Sequence, residues 1–145
     1  MTTATRPLRL DEYDLTTRPG PLPGAVLLYM EVEVSIRGKA RARRAPAGHF
    51  YTPKATVSAE RIIAWEAKRR GWPRVLAKGM YFGLRVAFEA PGRVDVDNGY
   101  KLVADALAGV VYGNDCRVVE GYARRFKPAD PARPRARILV YESGP

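Results

Sequence analysis

The residues able to do chemistry crowd into one stretch, 95–115. It opens Asp95-Val96-Asp97-Asn98-Gly99-Tyr100-Lys101, closes Asn114-Asp115, and holds four of the chain's seven aspartates. If Asp95 closes a strand and Asp97 caps a helix, two carboxylates two residues apart can converge on one cation. Crowded carboxylates repel one another, and a divalent cation is the usual means of keeping them ionised together. Hard oxygen donors suit magnesium or manganese, and a single His and a single Cys provide no ligand set for zinc. The plainer reading of the same residues is a turn followed by a helix cap, with Asp105 a solvated helix residue.

The elements around this stretch must position it. Leu102, Val103, Ala106, Leu107 and Val110 recur at spacings of three and four, which predicts an amphipathic helix near 98–108. Lys101 and Asp105 lie off its apolar side, and Lys101, one turn after Asp97, can lean back over the carboxylates. A helix running unbroken to Tyr112 would hold Asp97 and Asp115 roughly 22 Å apart, so a shared metal needs an early stop. Gly109 offers that stop. Six extended residues, 110–115, at about 3.3 Å each would then lead back toward the helix start, which favours a site built within one chain. Before the motif, Ala90-Pro91-Gly92-Arg93 makes a turn and sets Arg93 two residues from Asp95, well placed for a phosphate.

The rest of the chain reads as a small mixed sheet. Residues 26–36 alternate, with Met30, Val32, Val34 and Ile36 on one face. Residues 80–89 alternate likewise, with Met80, Phe82, Leu84, Val86 and Phe88 on one face and Tyr81, Arg85 and Glu89 on the other. Two more strands are expected at 118–126 and 135–142, separated by Pro128, Pro131 and Pro134. A helix over 58–70 is expected to start at Ser58 as N-cap, turn Ala59, Ile62, Ile63 and Ala67 inward, carry Trp65 at one edge, and end at Gly71 and Pro73. The predicted class is α+β: a single domain over 26–145, with about four strands in a mixed sheet flanked by two helices. Residues 1–25, with four prolines and two glycines, are expected to form a flexible lead.

Composition narrows the partners. With 25 Lys and Arg against 15 Asp and Glu, a formal charge of +10 points to a polyanion, nucleic acid first. The alternative is a basic surface kept for solubility. Arg37, Lys39, Arg41, Arg43 and Arg44 put five cations into eight residues with no apolar face between them, the composition of a mobile loop that touches phosphates or is simply solvated. His49, beside Phe50 and Tyr51, is given no chemistry. The single Cys116 excludes an internal disulfide and suits a reducing cytoplasm. No apolar run approaches the ~20 residues of a membrane span, and no signal peptide is expected.

The run Asp95-x-Asp97-Asn98-x-x-Lys101, then Asp105-x-Leu107, Gly109 and Asn114-Asp115 with Val118 after them, resembles the core motif of the RusA family of Holliday junction resolvases. The basic run 37–44 followed by His49-Phe50-Tyr51-Thr52-Pro53-Lys54 and a helix resembles the family's N-terminal half, so the likeness covers about 26–142. It implies that Asp95, Asp97 and Asp115 bind the catalytic metal and that Lys101 is the motif lysine, stabilising the transition state or orienting the water. Many members have two adjacent aspartates where this chain has Asn114-Asp115; Asn114 offers a carbonyl oxygen there. The resemblance further implies magnesium-dependent resolution of four-way junctions by paired phosphodiester hydrolysis, a homodimer, and a bacterial protein or a phage protein acting in the host cytoplasm. The DNA-contact candidates are Arg37, Lys39, Arg41, Arg43, Arg44, Lys54 and Arg93. The competing class is a non-catalytic basic DNA-binding module in which Asp97 is only a cap.

Overall fold

The computed structural model describes residues 6–37, 43–44, 50–51, 54–113 and 115–144, and of Arg43, Arg44, Phe50, Tyr51, Lys54, Ala55 and Asp115 it describes the backbone alone. The alternation near the start becomes strand β1 (Val26–Glu33), with Leu28, Met30 and Val32 inward and Tyr29, Glu31 and Glu33 outward. Val34 and Ile36 continue that inward face past the last strand residue. Part of the expected basic loop is a small hairpin, in which β2 (Arg43–Arg44) pairs antiparallel with β3 (Phe50–Tyr51). Lys39, Arg41 and His49 lie outside the described residues.

Helix α1 (Lys54–Arg69) starts four residues before the predicted cap, so Ser58 lies inside it. It buries Ala59, Ile63, Ala67 and, unforeseen, Glu66, whereas Ile62 faces solvent. Helical spacing explains both corrections: 59, 63, 66 and 67 share one stripe, and Ile62 sits at its margin. The Glu66 carboxylate is tolerated there because Arg69 and Arg70 donate to it at 2.6 and 3.1 Å.

Then follow β4 (Tyr81–Glu89), α2 (Val96–Leu107), β5 (Val118–Phe126) and β6 (Arg135–Ser143). The four long strands form one mixed sheet in the order β1-β6-β4-β5, in which β4 is antiparallel to β6 and parallel to β5. This is the predicted α+β class, with two helices on one face of a four-stranded mixed sheet. The main core lies between helices and sheet, built from residues such as Met30, Ile63, Leu84, Phe88, Leu102, Leu107 and Ile138. No helix among the described residues is long and apolar enough to cross a membrane.

β4 is buried on both faces, because the N-terminal segment covers the side the helices leave open. The sequence suggests a loose lead over 1–25; from Leu10 onward it is instead packed. A 3₁₀ turn at Leu10–Glu12 sets Leu10, Tyr13 and Leu15 against Ala87, Phe126, Leu139 and Tyr141 in a second core cluster. The prolines rule out regular structure there without preventing apolar contact. Arg85, on the covered face, is 4 % exposed and donates to the carbonyls of Leu15, Arg18 and Gly20 at 2.7–2.9 Å. Arg137 holds the same segment through the carbonyls of Leu10 and Tyr13.

Candidate active site

The turn that delivers the aspartates is held from both sides. After β4, Val94 N–H donates to Pro91 O at 3.0 Å to close it, and Ala90 N–H donates to Phe126 O at the end of β5. Arg125 donates to the carbonyl of Val94 at 2.5 Å. The next residue, Asp95, is thereby fixed just beyond the C-terminal end of β4.

Asp95, not Asp97, occupies the N-cap position of α2. Its backbone is extended (φ −70°, ψ 137°) and its carbonyl accepts the first helical bond, from Gly99 N–H at 3.0 Å. Its carboxylate makes no cap hydrogen bond; the contact it has is a long one, 3.5 Å, from the Asn98 amide. Asp97 is the second residue of the helix, exposed, and has no hydrogen bond or ion pair among the described residues. The cap moved because the turn 91–94 ends sooner than the sequence suggests, so Val96 already has helical geometry. Both carboxylates stand in the positive field of the helix N-terminus, which stabilises anions.

The contrast with other acidic residues is informative. Asp11 and Glu89 pair with Arg135, Glu12 with Arg6, Glu33 with Arg133 and Glu66 with Arg69. Among the described residues Asp95 and Asp97 are without such a cation. Exposed carboxylate oxygens without a strong protein partner suit a hard divalent ion.

Lys101 does not lean back. Its ammonium is 3.2 Å from Asp105 Oδ1, one turn further along α2. Arg93 and Arg37 are exposed and line the same cleft of about 380 Å³ beside the turn, so these two predicted phosphate contacts come together next to Asp95. Lys54, Arg43 and Arg44 are placed by backbone only, and Lys39, Arg41 and Asn114 lie outside the described residues.

Two glycines set the height of the helix that carries the site. A side chain at Gly99 would collide with the Phe88 ring, and one at Gly121 with the Tyr100 hydroxyl. Their absence lets the first turn of α2 settle onto β4 and β5, with Tyr100 half-buried and its phenol pushed above its ordinary pKa by desolvation. A glycine in a helix lacks intrinsic justification, and that oddity was the available signal. Glu89, 1 % exposed, is a further residue the sequence reading overlooked. It accepts from the Ala129 and Arg135 N–H groups and from the Arg135 guanidinium, tying the proline-rich loop to the strand end that precedes Asp95.

The helix stops where expected: Gly109 has φ +81° and its N–H donates to Tyr112 O at 2.7 Å. The return, however, does not lead back along the helix. Tyr112 donates to Ala104 O and packs on Phe82, and a 3₁₀ turn at Asp115–Arg117 leads into β5, whose first residue, Val118, pairs with Phe82. Because β5 is parallel to β4, the backbone of Asp115 lies at the Phe82 end of the sheet and Asp95 at the Glu89 end. The 12 residues of α2, about 18 Å, lie between them. Among the described residues no three metal-ligating side chains gather anywhere.

The fold and site thus define a small α+β domain that presents two unclaimed carboxylates at a helix N-terminus amid a basic surface. The model of the family Endodeoxyribonuclease RusA matches residues 31–141, and the chain belongs to that family. No curated protein matches the chain.

Proposed function

We propose that the protein is a magnesium-dependent endodeoxyribonuclease that resolves four-way DNA junctions by paired hydrolysis, acting as a two-fold homodimer on branched DNA in the cytoplasm. The supporting observation is the pair Asp95 and Asp97, exposed at the first turn of α2 with no cation of the described residues on them, in a chain of the RusA family. A divalent ion held there would activate a water and offset charge on the scissile phosphate. The chain's own residues do the positioning. Arg37 and Arg93 flank the turn and hold the phosphate backbone beside the carboxylates, and the first turn of α2 fixes the carboxylates on a buried strand end. Lys101 exchanges Asp105 for the phosphate as negative charge grows there. Asp115, at the far end of the same chain's sheet, serves a site only across the dimer, so each site takes Asp95 and Asp97 from one chain and Asp115 of the partner subunit.

The test is cleavage of a synthetic four-way junction beside a linear duplex of matched sequence, with magnesium and with chelator. Wild type is expected to cut the junction in magnesium alone. Asp97→Asn should lower cutting by on the order of 100-fold or more while junction binding persists. A wild-type protein that binds the junction and cuts nothing in magnesium or manganese would establish the non-catalytic module instead. Parallel loss of binding and cutting in a folded Asp97→Asn variant would remove Asp97 from the site.

A further inference from the structure

A second basic surface lies at the opposite end of the sheet from Asp95. The loop 72–79 after α1 and the turn 109–113 after α2 enclose an open cleft of about 540 Å³. Arg74, Lys78 and Arg117 line it, no carboxylate among the described side chains does, and much of its wall is backbone at Gly79, Gly109 and Gly113. Two of the three cations are held in orientation by aromatic faces. The Arg74 guanidinium sits 5.1 Å from the centre of the Trp72 ring and that of Arg117 5.5 Å from Tyr81. A guanidinium laid on a ring keeps its edge N–H groups available for a bidentate acceptor.

Like Arg37 and Arg93, these cations differ from the arginines that the protein's own carboxylates hold. Arg69, Arg70, Arg133, Arg135 and Arg137 pair with carboxylates of the protein itself. Among the described residues Arg74, Lys78 and Arg117 make no ion pair, and Arg74 has a single weak bond, 3.4 Å, to Arg70 O. The surface between the cleft and the candidate site is also open. A furrow of about 450 Å³ runs along α2 and β5 from Asp97 and Tyr100 to Val118, the neighbour of Arg117, and its one other carboxylate, Glu120, is engaged by the Tyr141 hydroxyl. The ~18 Å length of α2 corresponds to roughly five successive phosphates of one duplex strand.

We infer that this cleft binds the phosphodiester backbone of a DNA arm through Arg74, Lys78 and Arg117, beside the Asp115 that completes a site across the dimer. The inference rests on the nuclease reading above and adds to it a second phosphate site that fixes the direction in which an arm leaves the carboxylates. The oxygen pairs of phosphodiesters match the two stacked guanidiniums, and the glycine walls allow the sugar-phosphate chain a close approach.

The experiment compares full-length wild type with Arg74→Ala/Lys78→Ala/Arg117→Ala and with Arg74→Lys/Arg117→Lys. Binding to a labelled four-way junction is measured without magnesium over a range of salt, and cutting with magnesium at saturating protein. These side chains lie at the surface, and thermal melts verify the fold. The triple alanine variant should bind at least about tenfold more weakly at moderate salt, and its log–log salt slope should fall by about 0.9 per lost contact, 2 to 3 in all. Its cutting at saturation should fall by a smaller factor than its affinity does. The lysine variant, which keeps the charges, should keep the slope. A wild type that binds and cuts junctions beside a triple variant of identical affinity and slope overturns the cleft alone. A wild type that neither binds nor cuts them overturns the nuclease reading, and the cleft with it.

Discussion

The ammonium of Lys101 rests on Asp105, 3.2 Å away, although Asp97 stands one turn in the other direction on the same helix. Such a pair on a solvated helix face contributes only about 0.3–0.5 kcal/mol, and lysine preceding the acid is the weaker orientation. Asp105 is thus a resting partner that a phosphate can displace at small cost.

Lys101→Met should therefore lower single-turnover cutting of the junction by on the order of tenfold or more while changing its affinity little, because the lysine acts where phosphate charge is greatest. Asp105→Ala should lower cutting far less than Lys101→Met does, since it leaves the lysine itself in place. Equal losses of affinity and cutting in Lys101→Met would make the lysine an ordinary phosphate contact.

The parallel pairing of β4 and β5 makes a prediction about assembly. Asp95→Asn and Asp115→Asn chains should each be inactive as homodimers. Mixed and re-equilibrated, they should regain single-strand nicking of the junction, because sites assembled across the dimer leave one site intact and concentrate both defects in the other. Inactivity of the mixture, with heterodimers verified by differential tags, would place all three aspartates of a site in one chain.

Tyr141 predicts an alkaline weakness. Burial, and then the bond its hydroxyl donates to Glu120, push its phenol up to about 12 from an ordinary value near 10. Between those values the unfolded chain has released this proton and the folded chain has not. Stability from this group is therefore complete below about pH 10 and is lost as pH rises toward 12. Denaturant titrations at a series of alkaline pH values should show wild-type stability falling over that window, with Tyr141→Phe falling less steeply, by up to about one proton's worth of slope. Superimposable slopes would mean that Tyr141 titrates normally.

What the sequence reveals depends on how local the cause is. Alternation marks β1 and β4 correctly because each has an inward face, and Gly109 marks the helix stop because its positive φ suits few other residues. The location of Asp115 is not local. It follows from β5 lying parallel to β4, which periodicity within a strand does not encode, so a return to the helix start looked feasible until the register was known. Arg85 and Glu89 read as the solvent side of a strand, because nothing within the strand announces the segment and loop that cover them. The cap at Asp95 was missed by two residues, since Asp95 and Asp97 are equally good cap types and only the length of the preceding turn distinguishes them.

The grip of Arg85 on the carbonyls of Leu15, Arg18 and Gly20 changes what the first 25 residues are. They precede the family-matched segment and look like a dispensable leader, yet they supply the carbonyl oxygens that accept the hydrogen bonds of a guanidinium buried on the sheet. Trimming the chain to residue 26 would remove Leu10, Tyr13 and Leu15 from the apolar face of Ala87, Phe126, Leu139 and Tyr141, a loss on the order of 5 kcal/mol at about 1.5–3 kcal/mol per large buried side chain, comparable to much of a small domain's stability. The minimal folding unit of this protein is consequently larger than its region of family likeness, and its boundary is drawn by an arginine in the middle of the chain.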